Sequence, residues 1–160
     1  MEQLLQQIIN GVSLGSIYAL IALGYTMVYG IIKLINFAHG DVYMIGAYTG
    51  YVCMTKFQLS FLPSLLIAMV VCTLLGIIIE KIAYKPLRNA TRIAVLITAI
   101  GVSLFLEYST MFVATANVRS YPPMKGILTE SFRVGTVTIT MHQILIVIIT
   151  VILMTLLQFI

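Results

Sequence analysis

Long stretches without a charged residue constrain this chain more than any other feature. Five long runs of this kind cover residues 3–32, 42–55, 57–79, 93–106 and 134–160. A helix needs about 20 apolar residues to cross the hydrocarbon core of a membrane, which is roughly 30 Å thick. Three of the runs reach that length, and residues 93–118 form a fourth that only Glu107 interrupts. The pattern predicts an all-α, polytopic transmembrane helical bundle with about five membrane segments.

The overall composition agrees with a membrane protein and argues against the alternatives. The 160 residues are 61% hydrophobic and 9% charged, whereas soluble domains carry about 25% charged residues. A transmembrane barrel would alternate apolar and polar residues over segments of about 10. The run ILIVIITVILMTLL at 144–157 does not alternate. We therefore treat residues 1–160 as a single transmembrane domain.

The most charged segment, Glu80 to Arg92, predicts the orientation of the chain. Its four basic residues stand against one acidic residue, and they are Lys81, Lys85, Arg88 and Arg92. Basic residues concentrate in cytoplasmic loops of membrane proteins, so we expect residues 80–92 on the cytoplasmic side and the polar loop 119–136 outside. This topology signal explains much of the net charge of +4, and we expect no nucleic-acid partner. The sequence leaves open whether residues 35–55 cross the membrane or are re-entrant, and therefore where the N-terminus lies.

Small residues recur at four-residue spacing on two of the predicted helices. Gly11, Gly15 and Ala19 share one face of the first helix, and Gly46 and Gly50 share one face of the second. Small side chains let membrane helices approach closely. We predict that these positions are helix-packing sites.

Several polar side chains lie where lipid would not tolerate them without a partner in the protein. These candidates for a substrate pathway are Asn36, His39, Asp41 and Glu107. A carboxylate at the centre of a membrane helix costs about 2.5–3.5 kcal/mol on insertion scales, so Glu107 either faces a pathway or reaches the interface. Tyr25 and Tyr29 are further candidates for the lining of a pathway.

The sequence carries no pattern typical of catalysis or metal binding. It lacks a Walker A loop, an HExxH motif, a GxSxG motif and a paired-carboxylate constellation. His39 and Asp41 have no third ligand nearby in sequence, and Cys53 and Cys72 lack metal-ligand spacing. We expect no enzyme activity, no cofactor and no metal, and any energy source must lie in another protein.

One segment resembles a known family. LGYTMVYGIIKLINFAHGDVYMIGAYTGY, residues 23–51, is similar to the N-terminal signature of permease subunits of branched-chain amino-acid ABC importers, and more specifically of the H-type permease. The segments NGVSLGSIYALIALG and EKIAYKPLRNATRIAVLITAIGVSLFLE follow the family's order. Permeases for urea and short amides carry a similar NxAHG core, which leaves them as an alternative.

The resemblance implies a multi-pass permease in the cytoplasmic membrane of a bacterium that moves branched-chain amino acids such as leucine. Its implied partners are a second homologous permease, two cytoplasmic ATPase subunits and an external solute-binding protein, with membrane lipid around them. Permeases of this family are roughly twice as long, so we expect the chain to be an N-terminal portion. A small homo-oligomeric channel or secondary transporter, and a non-transporting assembly fragment, are further alternatives.

Overall fold

The structure is a computed structural model that describes residues 2–32, 36–122, 131–134 and 137–158. Within these ranges the elements are α1 (Glu2–Ile32), α2 (His39–Thr55), α3 (Phe61–Ile79), α4 (Arg92–Ala114), β1 (Ser131–Val134), β2 (Val137–Thr140) and α5 (Met141–Gln158). Among the described residues, three helices are long and apolar enough to cross a membrane, and they include α1, α3 and α4. The predicted class of polytopic helical membrane protein is confirmed.

The chain divides into two compact units, each of which has its own packing. One unit comprises Met1–Met27 and Pro123–Ile160, and the other comprises Val28–Pro122. The second unit contains α2, α3 and α4 and most of the predicted pathway residues.

Helix α2 runs antiparallel to α3. Near the start of α2, the carbonyl oxygen of Val42 accepts a 3.5 Å hydrogen bond from the Cys72 thiol, which lies in the second half of α3. Near the other end, Met54 and Phe61 line the same cavity. The 17 residues of α2 extend about 26 Å along the helix axis. This geometry places α2 alongside α3, and whether this part of the chain crosses the membrane or is re-entrant stays a prediction.

Helix α4 runs parallel to α2 and completes a three-helix unit. The Ser103 hydroxyl donates a hydrogen bond to the carboxylate of Asp41 near the start of α2. The core that joins the three helices is small: Ala38, Ile79 and Leu106 are buried together. The membrane-spanning helices leave most of their large apolar side chains exposed, as expected for helices whose other faces meet lipid or further protein.

The basic segment between α3 and α4 is bent. Residues Glu80–Tyr84 continue α3 as a π-helical turn, and Lys85–Leu87 form a 3-10 turn that contains Pro86. The hydroxyl oxygen of Thr91 then accepts a 3.4 Å hydrogen bond from the Ala94 amide and caps the N-terminus of α4. The four basic side chains of this segment are exposed.

The other unit contains a hairpin that the sequence analysis did not predict. Strands β1 and β2 pair antiparallel, β1 within the predicted polar loop (119–136) and β2 within the uncharged run 134–160, for which the sequence predicts a membrane helix. Helix α5 begins instead at Met141. The alternation of Val137, Thr138, Ile139 and Thr140 explains the difference, because β-branched residues favour a strand.

Helix α5 packs on α1 through polar contacts. The Gln143 amide donates a 3.2 Å hydrogen bond to the Asn10 side chain, and the Thr150 hydroxyl donates one of 3.4 Å to the carbonyl oxygen of Ser16. Ser13 and Thr150 are buried. The face of α1 that meets α5 therefore contains Ser13 and Ser16.

The two predicted glycine faces occupy different surroundings. Gly46 and Gly50 are buried, and a Cβ atom added to Gly46 would come within 2.5 Å of the Cys72 sulfur. Gly11 and Gly15 are exposed, and an added Cβ at either would meet no described atom within 4 Å. Ala19 is half-buried, and the helix-packing role of this stripe on α1 stays a prediction.

Candidate functional site

The sequence NFAH forms a tight entry into α2. The side-chain oxygen of Asn36 accepts a 3.1 Å hydrogen bond from the Ala38 amide, which makes an Asx turn. The same oxygen accepts a 2.6 Å hydrogen bond from the Tyr84 hydroxyl. The Asn36 carbonyl accepts a further one of 3.2 Å from the His39 amide. Asn36 thus connects the start of α2 to the π-helical turn that follows α3 through these hydrogen bonds.

Asp41 lies in the first turn of α2 and faces α4. Its carboxylate accepts the hydrogen bond from Ser103, and the side chain is half-buried. The partial positive charge at a helix N-terminus favours a carboxylate in this position. Asp41 is therefore satisfied by protein groups, as a polar residue at membrane depth requires.

The remaining sequence candidates lie in three places. His39 is the first residue of α2 and is half-buried. Tyr25 is half-buried on α1, and Tyr29 is 51% exposed on the same helix. Glu107 is exposed on α4, one helical turn beyond Ser103.

Asp41 and Glu107 share one interface between two helices. The facing residues of α2 are Asp41, Met44, Tyr48 and Tyr51, and those of α4 are Ser103, Glu107, Met111 and Ala114. We call these eight residues the α2–α4 seam. The hydrogen bond between Ser103 and Asp41 closes the seam at the end near the basic segment. Beyond Glu107 the seam opens into a cavity of about 410 Å³, which we call the seam cavity.

The seam cavity has charged groups of both signs and an aromatic wall. Glu107 and Arg119 supply the charges, and Tyr48, Tyr51 and Tyr121 supply the wall. Methionine and alanine side chains make up much of the remaining lining. Pockets that bind small molecules combine these features, a mostly apolar lining with a few placed polar groups.

Arg119 is fixed against the C-terminus of α4. One of its terminal nitrogens donates hydrogen bonds of 3.0 Å to the Ala114 carbonyl and 3.4 Å to the Thr115 hydroxyl. Its guanidinium carbon lies 5.8 Å from the centre of the Tyr51 ring, within cation–π range. A cation is favoured at a helix C-terminus. Because a guanidinium has five N–H donors, these contacts leave donors for a ligand.

Tyr121 closes the same end of the cavity. Its hydroxyl donates a hydrogen bond to the Ala47 carbonyl of α2, and its ring meets Tyr51 edge to face at 6.0 Å. A Cβ atom on Gly50 would come within 3.0 Å of the Tyr121 hydroxyl oxygen, so glycine leaves room for this contact. Burial, with a smaller contribution from Tyr43, raises the pKa of the Tyr121 phenol, and the hydroxyl therefore remains a donor at neutral pH.

Two further cavities lack paired charges. One of about 390 Å³ lies between α2 and α3 and includes Tyr43, Ser64 and Cys72. Another of about 280 Å³ lies between α1, β2 and α5, with isoleucine and valine side chains and Gln143. Over the described ranges, no group of three His, Cys, Asp or Glu side chains is placed to hold a metal ion.

Sequence reasoning found Glu107 but missed most of its neighbours. Arg119 and Tyr121 were assigned to an outer loop, and Tyr48 and Tyr51 were not singled out. The three-residue spacing of those two tyrosines was a usable signal, because residues three apart share a helix face. Residues 115–121 fold back against the end of α4. They form no regular element, so no hydrophobic periodicity in the sequence predicts this.

Comparison with known proteins identifies relatives for nearly the whole chain. Residues 7–159 match the family described as branched-chain amino acid transport system, permease component. The high-affinity branched-chain amino acid transport system permease protein BraD of Pseudomonas aeruginosa is 43% identical over 157 residues, covering 91% of this chain and 51% of BraD. The corresponding permease protein LivH of Escherichia coli K12 is 50% identical over 111 residues, covering 64% of this chain and 36% of LivH. The chain spans about half the length of BraD. No solved structure matches it.

Proposed function

We propose that this chain, which belongs to the branched-chain amino acid transport permease family, forms part of the pathway by which an ABC importer moves branched-chain amino acids. The observation that carries the proposal is the family match, which runs from residue 7 to residue 159 and covers most of α1 and all of α2 to α5. The printed names of the relatives supply the substrate class and the kind of system.

The proposal includes partners and a membrane. We place the chain in the cytoplasmic membrane of a bacterium, beside a second homologous permease, with two cytoplasmic ATPase subunits and an external solute-binding protein. The energy then comes from the ATPase subunits, because the sequence contains no Walker A loop. With residues 80–92 on the cytoplasmic side, the entry to α2 also lies on that side and the seam cavity lies towards the outside.

We assign three of the predicted pathway residues to two roles. Asn36 and Asp41 are committed to Tyr84 and Ser103, so we assign them to holding α2 against its neighbours. Glu107 lines the seam cavity, and we assign it to the pathway itself. The Asp41–Ser103 bond lies at the inner limit of that cavity, where a substrate would have to pass along or beside the seam.

The proposal is tested with a chimera, because the chain matches only half of its relative. Residues 1–160 replace the matched portion of BraD, and the chimera is expressed with the other subunits of that system in Pseudomonas aeruginosa lacking BraD. We expect uptake of labelled leucine well above that of the empty vector. We also expect this uptake to disappear when the ATPase subunits carry a substitution that blocks hydrolysis.

The controls separate the alternatives. Labelled urea is offered to the same cells, and uptake of urea without leucine would move the chain to the amide-permease branch. Leucine uptake that survives the ATPase substitution would indicate a channel or secondary transporter. A chimera that reaches the membrane in normal amount, by immunoblot, but moves neither solute would contradict the proposed function.

A further inference from the structure

The seam cavity combines paired charges and apolar walls that a role in lining the pathway does not by itself explain. Building on the proposed function, we infer that it is a binding subsite for the zwitterion of a hydrophobic amino acid. Arg119 contacts the carboxylate of the ligand, Glu107 attracts its ammonium group, and the apolar side chain lies against the walls of the seam.

The two opposite charges lie at different ends of the cavity and would orient a zwitterionic ligand. The Arg119 guanidinium is bound to the carbonyl of Ala114 at the end of α4, whereas Glu107 lies seven residues earlier on the same helix. Seven residues correspond to about 10 Å along the helix axis. An amino-acid zwitterion is shorter than that, so the direct ionic contact is assigned to Arg119 and the orienting charge to Glu107.

Arg119 is prepared for a carboxylate. Its guanidinium is held by the helix end and by the face of Tyr51, so little side-chain freedom remains to be lost when a ligand binds. A guanidinium matches a carboxylate with two parallel hydrogen bonds. The ligand carboxylate therefore faces the Arg119 guanidinium.

Between the two charged ends, the cavity offers groups suited to an ammonium ion. Tyr48 and Thr110 line this middle part. A tyrosine ring attracts a cation through its face, and a threonine hydroxyl accepts hydrogen bonds. Together with Glu107, these groups favour the orientation in which the ammonium points away from Arg119.

The walls suit an aliphatic side chain. Met44 and Met111 face the cavity from α2 and α4, with Ala47 and Ala114 beside them. Methionine side chains are flexible and adapt to ligands of irregular shape, so leucine, isoleucine and valine can share one site. The volume of about 410 Å³ lies in the usual range for small-molecule sites, about 300–1,000 Å³.

A ligand with a single charge is less well matched to this cavity. An anion is attracted by Arg119 but repelled by Glu107, and the reverse holds for a cation. The cavity therefore predicts a preference for L-leucine over 4-methylpentanoate, which lacks the amino group, and over L-leucinamide, which lacks the carboxylate.

The test measures binding directly, without ATP and without partner proteins. The full chain is placed in lipid nanodiscs, and saturation-transfer NMR records magnetisation passed from the protein to the methyl groups of L-leucine, 4-methylpentanoate and L-leucinamide. We expect the strongest transfer to L-leucine. Arg119→Gln should weaken leucine binding on the order of tenfold, because a charge-assisted contact is lost.

A second variant, Glu107→Gln, tests the subsite even if Arg119→Gln changes the structure at the end of α4. Glu107 is exposed, and Glu107→Gln preserves its shape, so we expect normal folding. This variant should bind 4-methylpentanoate nearly as well as leucine, because the group that repels the anion is gone. Arg92→Gln, the same change of charge at the opposite end of α4, serves as the matched control and should leave binding unchanged.

Two results would overturn the subsite. One is wild-type leucine binding in both the Arg119→Gln and the Glu107→Gln variants. The other is no saturation transfer to leucine in a chain that circular dichroism shows to be helical. Because the readout does not involve transport, a chimera that moves leucine while the chain shows no binding contradicts the subsite alone. If the chain binds leucine in nanodiscs but the chimera does not transport it in cells, only the proposed function is contradicted.

Discussion

The hydroxyl of Tyr84 donates a 2.6 Å hydrogen bond to the side-chain oxygen of Asn36, which lies 48 residues earlier in the chain. Tyr84 is the last residue of the π-helical turn after α3, and Asn36 lies three residues before the first residue of α2. The bond therefore ties together the two ends of the α2–α3 hairpin. It gives the asparagine of the NFAHG segment a structural role in this chain.

The first prediction concerns this bond. Tyr84→Phe should lower the free energy of unfolding by about 1 kcal/mol, because it removes a hydrogen bond between half-buried groups. Tyr108→Phe is the matched control, since Tyr108 is 63% exposed on α4. Unfolding of the purified chain is followed by circular dichroism in mixed detergent micelles. Equal midpoints for the two variants would argue against a structural role for the Tyr84–Asn36 bond.

The second prediction concerns the closed end of the seam. Asp41 and Ser103 join α2 to α4 through a hydrogen bond, and bonds to charged groups contribute about 1.5–3 kcal/mol. Each of Asp41→Ala and Ser103→Ala should therefore destabilise the chain. The double variant should cost less than the sum of the two, by at least about 1 kcal/mol. Additive losses in the same unfolding assay would show that the two side chains act independently.

The third prediction uses the close approach of α2 to α3. Gly46→Ala places a Cβ atom 2.5 Å from the Cys72 sulfur, so the thiol must rotate away from the Val42 carbonyl. We expect a loss of about 1 kcal/mol. Gly76→Ala on α3 meets nothing within 4 Å and should stabilise the helix by about 0.5–1 kcal/mol.

A rescue experiment distinguishes this clash from other causes. Cys72→Ala removes the sulfur, so the pair Gly46→Ala and Cys72→Ala should recover part of the stability lost in Gly46→Ala alone. Stability of the double variant below that of both single variants would be inconsistent with a steric origin.

The sequence predicted the helices well because uncharged apolar length is a physical requirement for crossing a membrane. It predicted their ends less well. In the run 57–79 the helix begins only at Phe61, after Gln58 with its φ of 52°. In the run 93–118 the helix ends at Ala114, and the next residue, Thr115, has a φ of 63°. Both backbone angles lie in a region that few side chains prefer. Apolar composition carries no information about such turns.

The hairpin and the seam cavity could not be predicted from the sequence, for two different reasons. Residues 134–160 contain no charge, so the sequence pattern does not separate strand β2 from the helix that follows. Short apolar runs are compatible with either a strand or a helix. Glu107 was predictable from the cost of a carboxylate in lipid. Its surroundings were not, because Arg119 and Tyr121 reach the seam only through tertiary contacts with Ala114 and Ala47.

The last prediction concerns how the hairpin is attached to α1. The Gln6 side chain accepts a 2.9 Å hydrogen bond from the Thr138 amide and donates one of 3.1 Å to the Thr138 carbonyl. It thus satisfies both backbone groups of a strand residue, as a neighbouring strand would. In Gln6→Ala the Thr138 amide loses its acceptor and should exchange with solvent about fivefold faster, since a net hydrogen bond contributes about 1 kcal/mol. Hydrogen exchange read by NMR checks this residue by residue. Gln7→Ala, a substitution at the adjacent exposed position, should leave the rate unchanged, and equal Thr138 exchange in the two variants would contradict the role assigned to Gln6.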